Sequence, residues 1–164
     1  MVIGVCGYFG CLQRNKLKQR CRDLQSTLFA VKNIESRLSY GRETMNLILQ
    51  RIADNINGVT ADFLRSVADD LSTAEGLVLD EVWRNNLLRF KEQWAFNEED
   101  WRLLKEFGCG LGVSHTDDQL KKLQCMTVQL EQQLQLSKED ELRLGKVFQA
   151  SGWCMGIVLA LLFA

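Results

Sequence analysis

The side chains best suited to chemistry stand in one short stretch, Ser114-His115-Thr116-Asp117-Asp118, beside the glycine-rich run Phe107-Gly-Cys-Gly-Leu-Gly-Val-Ser114. His115 is the only histidine, so a histidine-rich metal site is excluded, although His115 with Asp117 and Asp118 could in principle hold a cation. These neighbours lack the shared face of an i, i+4 helical pair, and the ordinary reading is a helix start capped by Ser114, Thr116 or Asp117. The acidic pairs Asp69–Asp70 and Glu98–Glu99 read as solvated turns or helix-dipole partners before they read as acid–base dyads. Gly108, Gly110 and Gly112 lack the Lys-Ser/Thr that completes a phosphate loop, and no serine or cysteine sits in a nucleophile motif. The glycines mark a tight corner between two helices, with Gly108 and Gly112 permitting close approach or a left-handed cap. Nothing here specifies a cofactor, a metal or a small-molecule substrate.

The elements around this corner are helical. The chain contains no proline, and apolar residues recur at three- and four-residue steps. Leu17, Cys21, Leu24, Leu28, Val31, Ile34 and Leu38 trace one face of a long first helix that breaks at Gly41. A second helix carries Met45, Ile48, Ile52 and Ile56 and stops at Gly58 as its C′ residue. Thr60 caps a third, which holds Phe63, Leu64, Val67 and Leu71. Leu79, Val82, Trp83, Leu87 and Phe90 mark a fourth after Gly76. Asn97 caps a fifth, with Glu98, Glu99 and Asp100 in its first turn and Trp101, Leu104 and Phe107 beyond. The sixth starts near Ser114–Asp117 and shows Leu120, Leu123, Thr127, Leu130 and Leu134, continuing through Leu142 unless Ser137 caps a new helix. The expected fold is all-α: a bundle of about six helices, two long terminal ones antiparallel and four short ones between them.

The 20 basic and 21 acidic side chains all lie between Arg14 and Lys146. This divides the chain into an apolar N-terminal segment (residues 1–13), a helical body (14–146) and an apolar C-terminal segment (147–164). The last would rise about 27 Å as a helix, close to the roughly 30 Å of a hydrocarbon core. Its Ile157, Val158, Leu159, Leu161, Leu162 and Phe163 would contribute on the order of −2 to −4 kcal/mol to insertion, with Trp153 at the polar edge. It is read as a membrane anchor. The first segment reaches only about 20 Å and is too short to span unaided. Gly152 and Gly156 form a G-x-x-x-G suited to close packing, for which Gly4, Gly7 and Gly10 offer a counterpart. Basic residues flank both segments: Arg14, Lys16, Lys18, Arg20 and Arg22 after the first, Lys138, Arg143 and Lys146 before the last. Such flanks favour the cytoplasmic side. A net charge of −1 gives nucleic-acid binding no electrostatic support. Of the six cysteines, three lie in the apolar segments and Cys21, Cys109 and Cys125 read as small core residues in a reducing compartment.

With these elements placed, the chain resembles the stage III sporulation protein AB family of endospore-forming bacteria. Ile34-Glu-Ser-Arg-Leu-Ser-Tyr40-Gly41 is similar to the family's first conserved helix end, Ile52-Ala53 to its I-A pair, and Trp83 to its single tryptophan. Asp100, Leu104, Phe107, Gly108, Leu111, Gly112, Ser114 and Gln119 match its D-x-x-x-L-x-x-F-G-x-x-L-G-x-S-x-x-x-x-Q pattern in register. The chain departs from the family at Glu43-Thr44, where Thr-Pro is usual, at His115, where Asp is usual, and in its shorter first segment. The resemblance implies a non-enzymatic membrane subunit of the mother cell–forespore channel complex, with its body on the mother-cell side of the outer forespore membrane. It implies a secretion-type ATPase and other membrane subunits as partners, and a body similar to cytoplasmic domains of type II secretion platforms. Two further functions fit the residues: a membrane-tethered enzyme built on the His115 corner, and a general adaptor for amphipathic partner helices.

Overall fold

A computed structural model describes the backbone of residues 2–40, 43–73, 78–111, 121 and 123–143, and the side chains of these from residue 15 onward except Tyr40. Six helices and no strand occur among the described residues. They are α1 (Val2–Tyr40), α2 (Met45–Ala53), α3 (Val59–Thr73), α4 (Leu79–Phe90), α5 (Glu98–Leu111) and α6 (residues 123–143). At about 1.5 Å per residue, the 39 residues of α1 extend roughly 58 Å. The periodic apolar face becomes the core: Leu24, Val31, Ile34, Ile48, Leu49, Leu64, Val67, Leu103, Phe107 and Leu130 are all but inaccessible.

α1 and α6 are antiparallel neighbours. Arg20 donates to Gln133, Lys32 pairs with Glu131, and the Thr127 hydroxyl donates to the Glu35 carboxylate at 3.0 Å, so positions on α6 fall as positions on α1 rise. The shorter helices follow one another, α2 on α3, α3 on α4 and α4 on α5, with α2 and α3 also packed on α1. α6 is unbroken through Ser137, which is buried within it with no hydrogen-bond partner for its hydroxyl, so that residue starts no new helix.

Two turn assignments change. α2 closes at Ala53, well before Gly58, which has φ +88° and starts α3 by accepting from the amides of Ala61 and Asp62. Gly58 is therefore the residue that launches α3, and no C′ residue of α2. Thr60, freed from capping, is buried inside α3, where its hydroxyl meets those of Thr27 (3.2 Å) and the Trp94 indole N–H (3.3 Å). A second burial differs as well. Cys21 is buried as expected, but Cys109 and Cys125 are exposed.

At the α4–α5 contact the Trp83 indole N–H donates to the Leu104 carbonyl at 3.0 Å, and the ring rests on Gly108. A Cβ at position 108 would stand 2.0 Å from Trp83 Cδ1, inside any tolerable contact. Phe63 meets the same indole edge-on at 4.8 Å between centroids and 88° between planes, an arrangement favoured by the ring quadrupole. Gly108→Ala must therefore displace Trp83, and Trp83→Ala leaves a cavity costing about 3–5 kcal/mol. Thermal denaturation followed by circular dichroism checks both. A Gly108→Ala protein with the parent's melting temperature would disprove the close packing.

Candidate functional site

The described residues with the most tightly arranged polar chemistry lie where α1, the α4–α5 connection and α6 meet. Arg20 sits one turn before Leu24 on α1 and points inward. Its Nε donates to Asp100 Oδ2 at 2.7 Å, and its Nη2 donates to Asp100 Oδ1 and Gln133 Oε1, both at 3.1 Å. Asp100 is fully buried. It also closes the N-terminus of α5, because Asn97 N–H donates to Asp100 Oδ2 (3.0 Å) and Asp100 N–H to Asn97 Oδ1 (2.9 Å). Such a reciprocal cap satisfies two amides that helix geometry leaves without partners. One turn along α1, Asp23 accepts from the Ala95 backbone N–H at 3.0 Å and from Gln19 at 2.9 Å. Arg20 and Asp23 thus hold the connection between α4 and α5 at two points. Burial pushes the Asp23 carboxyl above its ordinary value of 3.8, and its two donors pull part of the way back.

A second polar group is buried between α3 and α4. Asn86 is inaccessible; it accepts from Ser66 (2.6 Å) and donates to Asp70 Oδ2 (2.7 Å) and to the Val82 carbonyl (2.9 Å). Asp70 is thereby a structural acceptor, while Glu99 pairs on the surface with Arg102. Neither acidic pair forms a dyad facing a cavity. The nearby Asp80 carboxylate, with partial burial, holds the Cys109 thiol above its ordinary 9.0. Among the described residues, no cluster of three or more His, Cys, Asp or Glu side chains could bind a metal ion.

The residues singled out in the sequence divide accordingly. Trp83, Asp100, Phe107, Gly108 and Leu111 come together on α4 and α5 around the core. Tyr40 ends α1. Gly41, Gly112, Ser114, His115, Asp117, Asp118, Gln119, Lys146, Gly152 and Gly156 lie outside the described residues, as does the side chain of Arg14. Of the basic flank, Lys16, Arg22 and Arg143 are exposed and Lys18 is half-buried. Arg20 departs from that group, because the buried Asp100 carboxylate takes up its charge inside the bundle. The sequence carries a signal for this, an arginine beside Leu17 and Cys21 of the apolar stripe, but its partner lies 80 positions away. No helix of the described residues is long and apolar enough to cross a membrane, and residues 147–164 lie outside them.

Fold and site together define a helical-bundle protein whose polar interior holds helices in place and offers no reaction centre among the described residues. Comparison with known proteins gives the family. A model of the family described as Stage III sporulation protein AB matches residues 1–164. Stage III sporulation protein AB of Bacillus subtilis (strain 168) is 20% identical over 144 residues, 88% of this chain and 84% of that protein. A solved structure of a Stage III sporulation protein AB superposes with a TM-score of 0.72 at 18% identity, covering 76% of this chain and 98% of the other. The chain belongs to the stage III sporulation protein AB family, which is not a known enzyme family.

The charged contacts yield two expected outcomes. Arg20→Met or Asp100→Leu leaves one buried charge without its partner and costs about 3–5 kcal/mol, whereas the double variant Arg20→Met/Asp100→Leu costs less than the two single losses combined. Chemical denaturation of the four proteins measures this, and strict additivity would show that the pair is uncoupled. For Asp23 the folded state binds its proton more tightly than the unfolded chain. The associated stability is complete below 3.8 and is lost as pH rises through the raised value. Asp23→Asn cannot ionise, so its melting temperature minus the parent's should grow as pH increases from about 4 to 7. A difference that shrinks over that range would contradict the burial argument.

Proposed function

We propose that this chain is a non-enzymatic membrane platform subunit that couples a secretion-type ATPase to the channel between mother cell and forespore during endospore formation. The family membership supplies the sporulation context. The single observation that carries the platform reading is the antiparallel pairing of α1 with α6. The N-terminal end of α1 and the C-terminal end of α6 consequently lie at the same end of the bundle. Of the two uncharged apolar stretches of the sequence, 1–13 includes the first turns of α1 and 147–164 follows α6 along the chain.

A bundle anchored through one end presents its remaining surface to partners in a fixed orientation. The cations Lys16, Arg22 and Arg143 are exposed on the parts of α1 and α6 nearest the apolar stretches, where anionic headgroups would hold the body on the cytoplasmic side. Other membrane subunits would pack against the small residues Gly152 and Gly156, since glycine lets helices approach closely in lipid. The ATPase would meet the body's helix surfaces from the cytoplasm.

Fractionation and affinity capture from sporulating cells test the proposal. The full chain is expected in the membrane fraction, released by detergent and not by high salt, and should carry the ATPase with it on purification. Recovery as a dissolved monomer without detergent, or normal spore yield after clean deletion of its gene, would overturn the assignment.

A further inference from the structure

Between α4 and α5 runs an apolar furrow of about 260 Å³ bounded by Arg84, Leu87, Leu88, Lys91, Trp101 and Lys105. Leu88 is 70% exposed, more than any other large apolar side chain among the described residues. Arg84 is answered by Asp80 at 2.8 Å, but Lys91 and Lys105 form no ion pair among the described residues. The furrow therefore suits an apolar side chain accompanied by negative charge.

The same chain carries such a surface. Near the end of α6, Leu136 is 52% exposed and is followed by Glu139-Asp140-Glu141, with Leu142 exposed beyond them. Leu136, Glu139 and Asp140 occupy one helix face, being three and four positions apart. Leu88 and Leu136 are both open to solvent, so within one chain neither surface covers the other. Their levels agree as well. Arg20 binds Asp100 and Gln133 at once, which sets the first turn of α5, including Trp101, beside Gln133. Leu136 is one helical turn further along α6. Two copies standing side by side in a common orientation would bring Leu136 of one level with the Lys91 end of the furrow of the other.

We propose that copies of this chain associate laterally: the end of α6 docks in the α4–α5 furrow of a neighbouring copy, with Leu136 in the furrow and Glu139 and Asp140 opposite Lys91. The two surfaces are different, so the contact is heterologous and extends into rings or rows. The furrow is small, and the contact depends on confinement in one plane to raise the effective concentration. It rests on the membrane reading above for that common orientation.

The full chain, reconstituted in phosphatidylcholine liposomes with a benzophenone side chain at Leu88, tests the contact. Illumination should give adducts of two chains, mapped by mass spectrometry to the peptide spanning Leu136 to Leu142. Lys91→Glu should lower the yield roughly tenfold by setting like charges together, and adding Glu139→Lys/Asp140→Lys should restore it. All three side chains are exposed, so helicity and melting temperature should match the parent. Adducts only to lipid or within one chain, or a yield indifferent to the charge reversals, would overturn the contact. Flotation of the same liposomes separates the two readings. A chain that floats without two-chain adducts refutes the lateral contact alone, and one that does not float refutes the membrane reading together with it.

Discussion

The buried ion pair between Arg20 and Asp100 fixes the register of the whole bundle. Apolar contacts are non-directional, and a helix whose stripe repeats every three or four residues can slide by a turn and still bury most of its surface. The Arg20 guanidinium does not tolerate such a slide. Both of its donating nitrogens are engaged, by the two Asp100 oxygens and by Gln133, and removing either ion from its partner would strand a charge away from water. Burying two charges costs several kcal/mol of desolvation, which the attraction offsets only when the remaining lone pairs are satisfied. Here Asp100 also accepts the Asn97 amide. The pair contributes less to net stability than to selecting one arrangement of α1, α5 and α6.

Placement of α5 by its N-terminus makes the packing of Trp83 on Gly108 possible further along. Asp100 and Gly108 are eight positions apart on α5, a little more than two turns along and roughly 80° apart around the axis. With Asp100 turned to α1, Gly108 is turned to α4, where the indole needs a residue without a side chain and a carbonyl to accept its N–H. The aromatic rings Phe63, Phe90, Trp94, Phe96 and Trp101 continue from that contact as a chain of edge-on and stacked pairs. They join α3 to the α4–α5 connection and bury area with little loss of side-chain freedom.

Helix positions and most of the core were legible in the sequence because the 3.6-residue period is a local property, as the line Leu24, Val31, Ile34 shows. The Asn97 cap was legible for the same reason, its acceptor and donor lying three positions apart. What could not be read depended on partners distant along the chain. Arg20 stands among four other basic residues in the run from Arg14 to Arg22, and only Asp100 distinguishes it. Thr60 looked like a cap because nothing local reveals that Trp94 and Thr27 will need its hydroxyl. Gly58 looked like a stop because a glycine in the left-handed region serves either side of a loop. The match of Phe107, Gly108 and Leu111 to a family pattern marked the α5 corner as important, and the geometry supplies its cause: Gly108 is glycine because of Trp83.

A rigid register has a consequence for a force applied along the bundle from one end. If α1 and α6 could slip past each other, a force applied to the distal helices would dissipate as sliding along a greasy seam. Interlocked at Arg20–Gln133 near that end and at Glu35–Thr127 far from it, the two long helices move as one body. α3, the α4–α5 connection and α5 are fastened to α1 through Thr60, Ala95 and Asp100. Displacing α3 or α5 alone would break a buried polar contact costing about 1–3 kcal/mol for each group left unpaired. That stiffness comes from a few polar side chains placed between the helices rather than from the size of the apolar core.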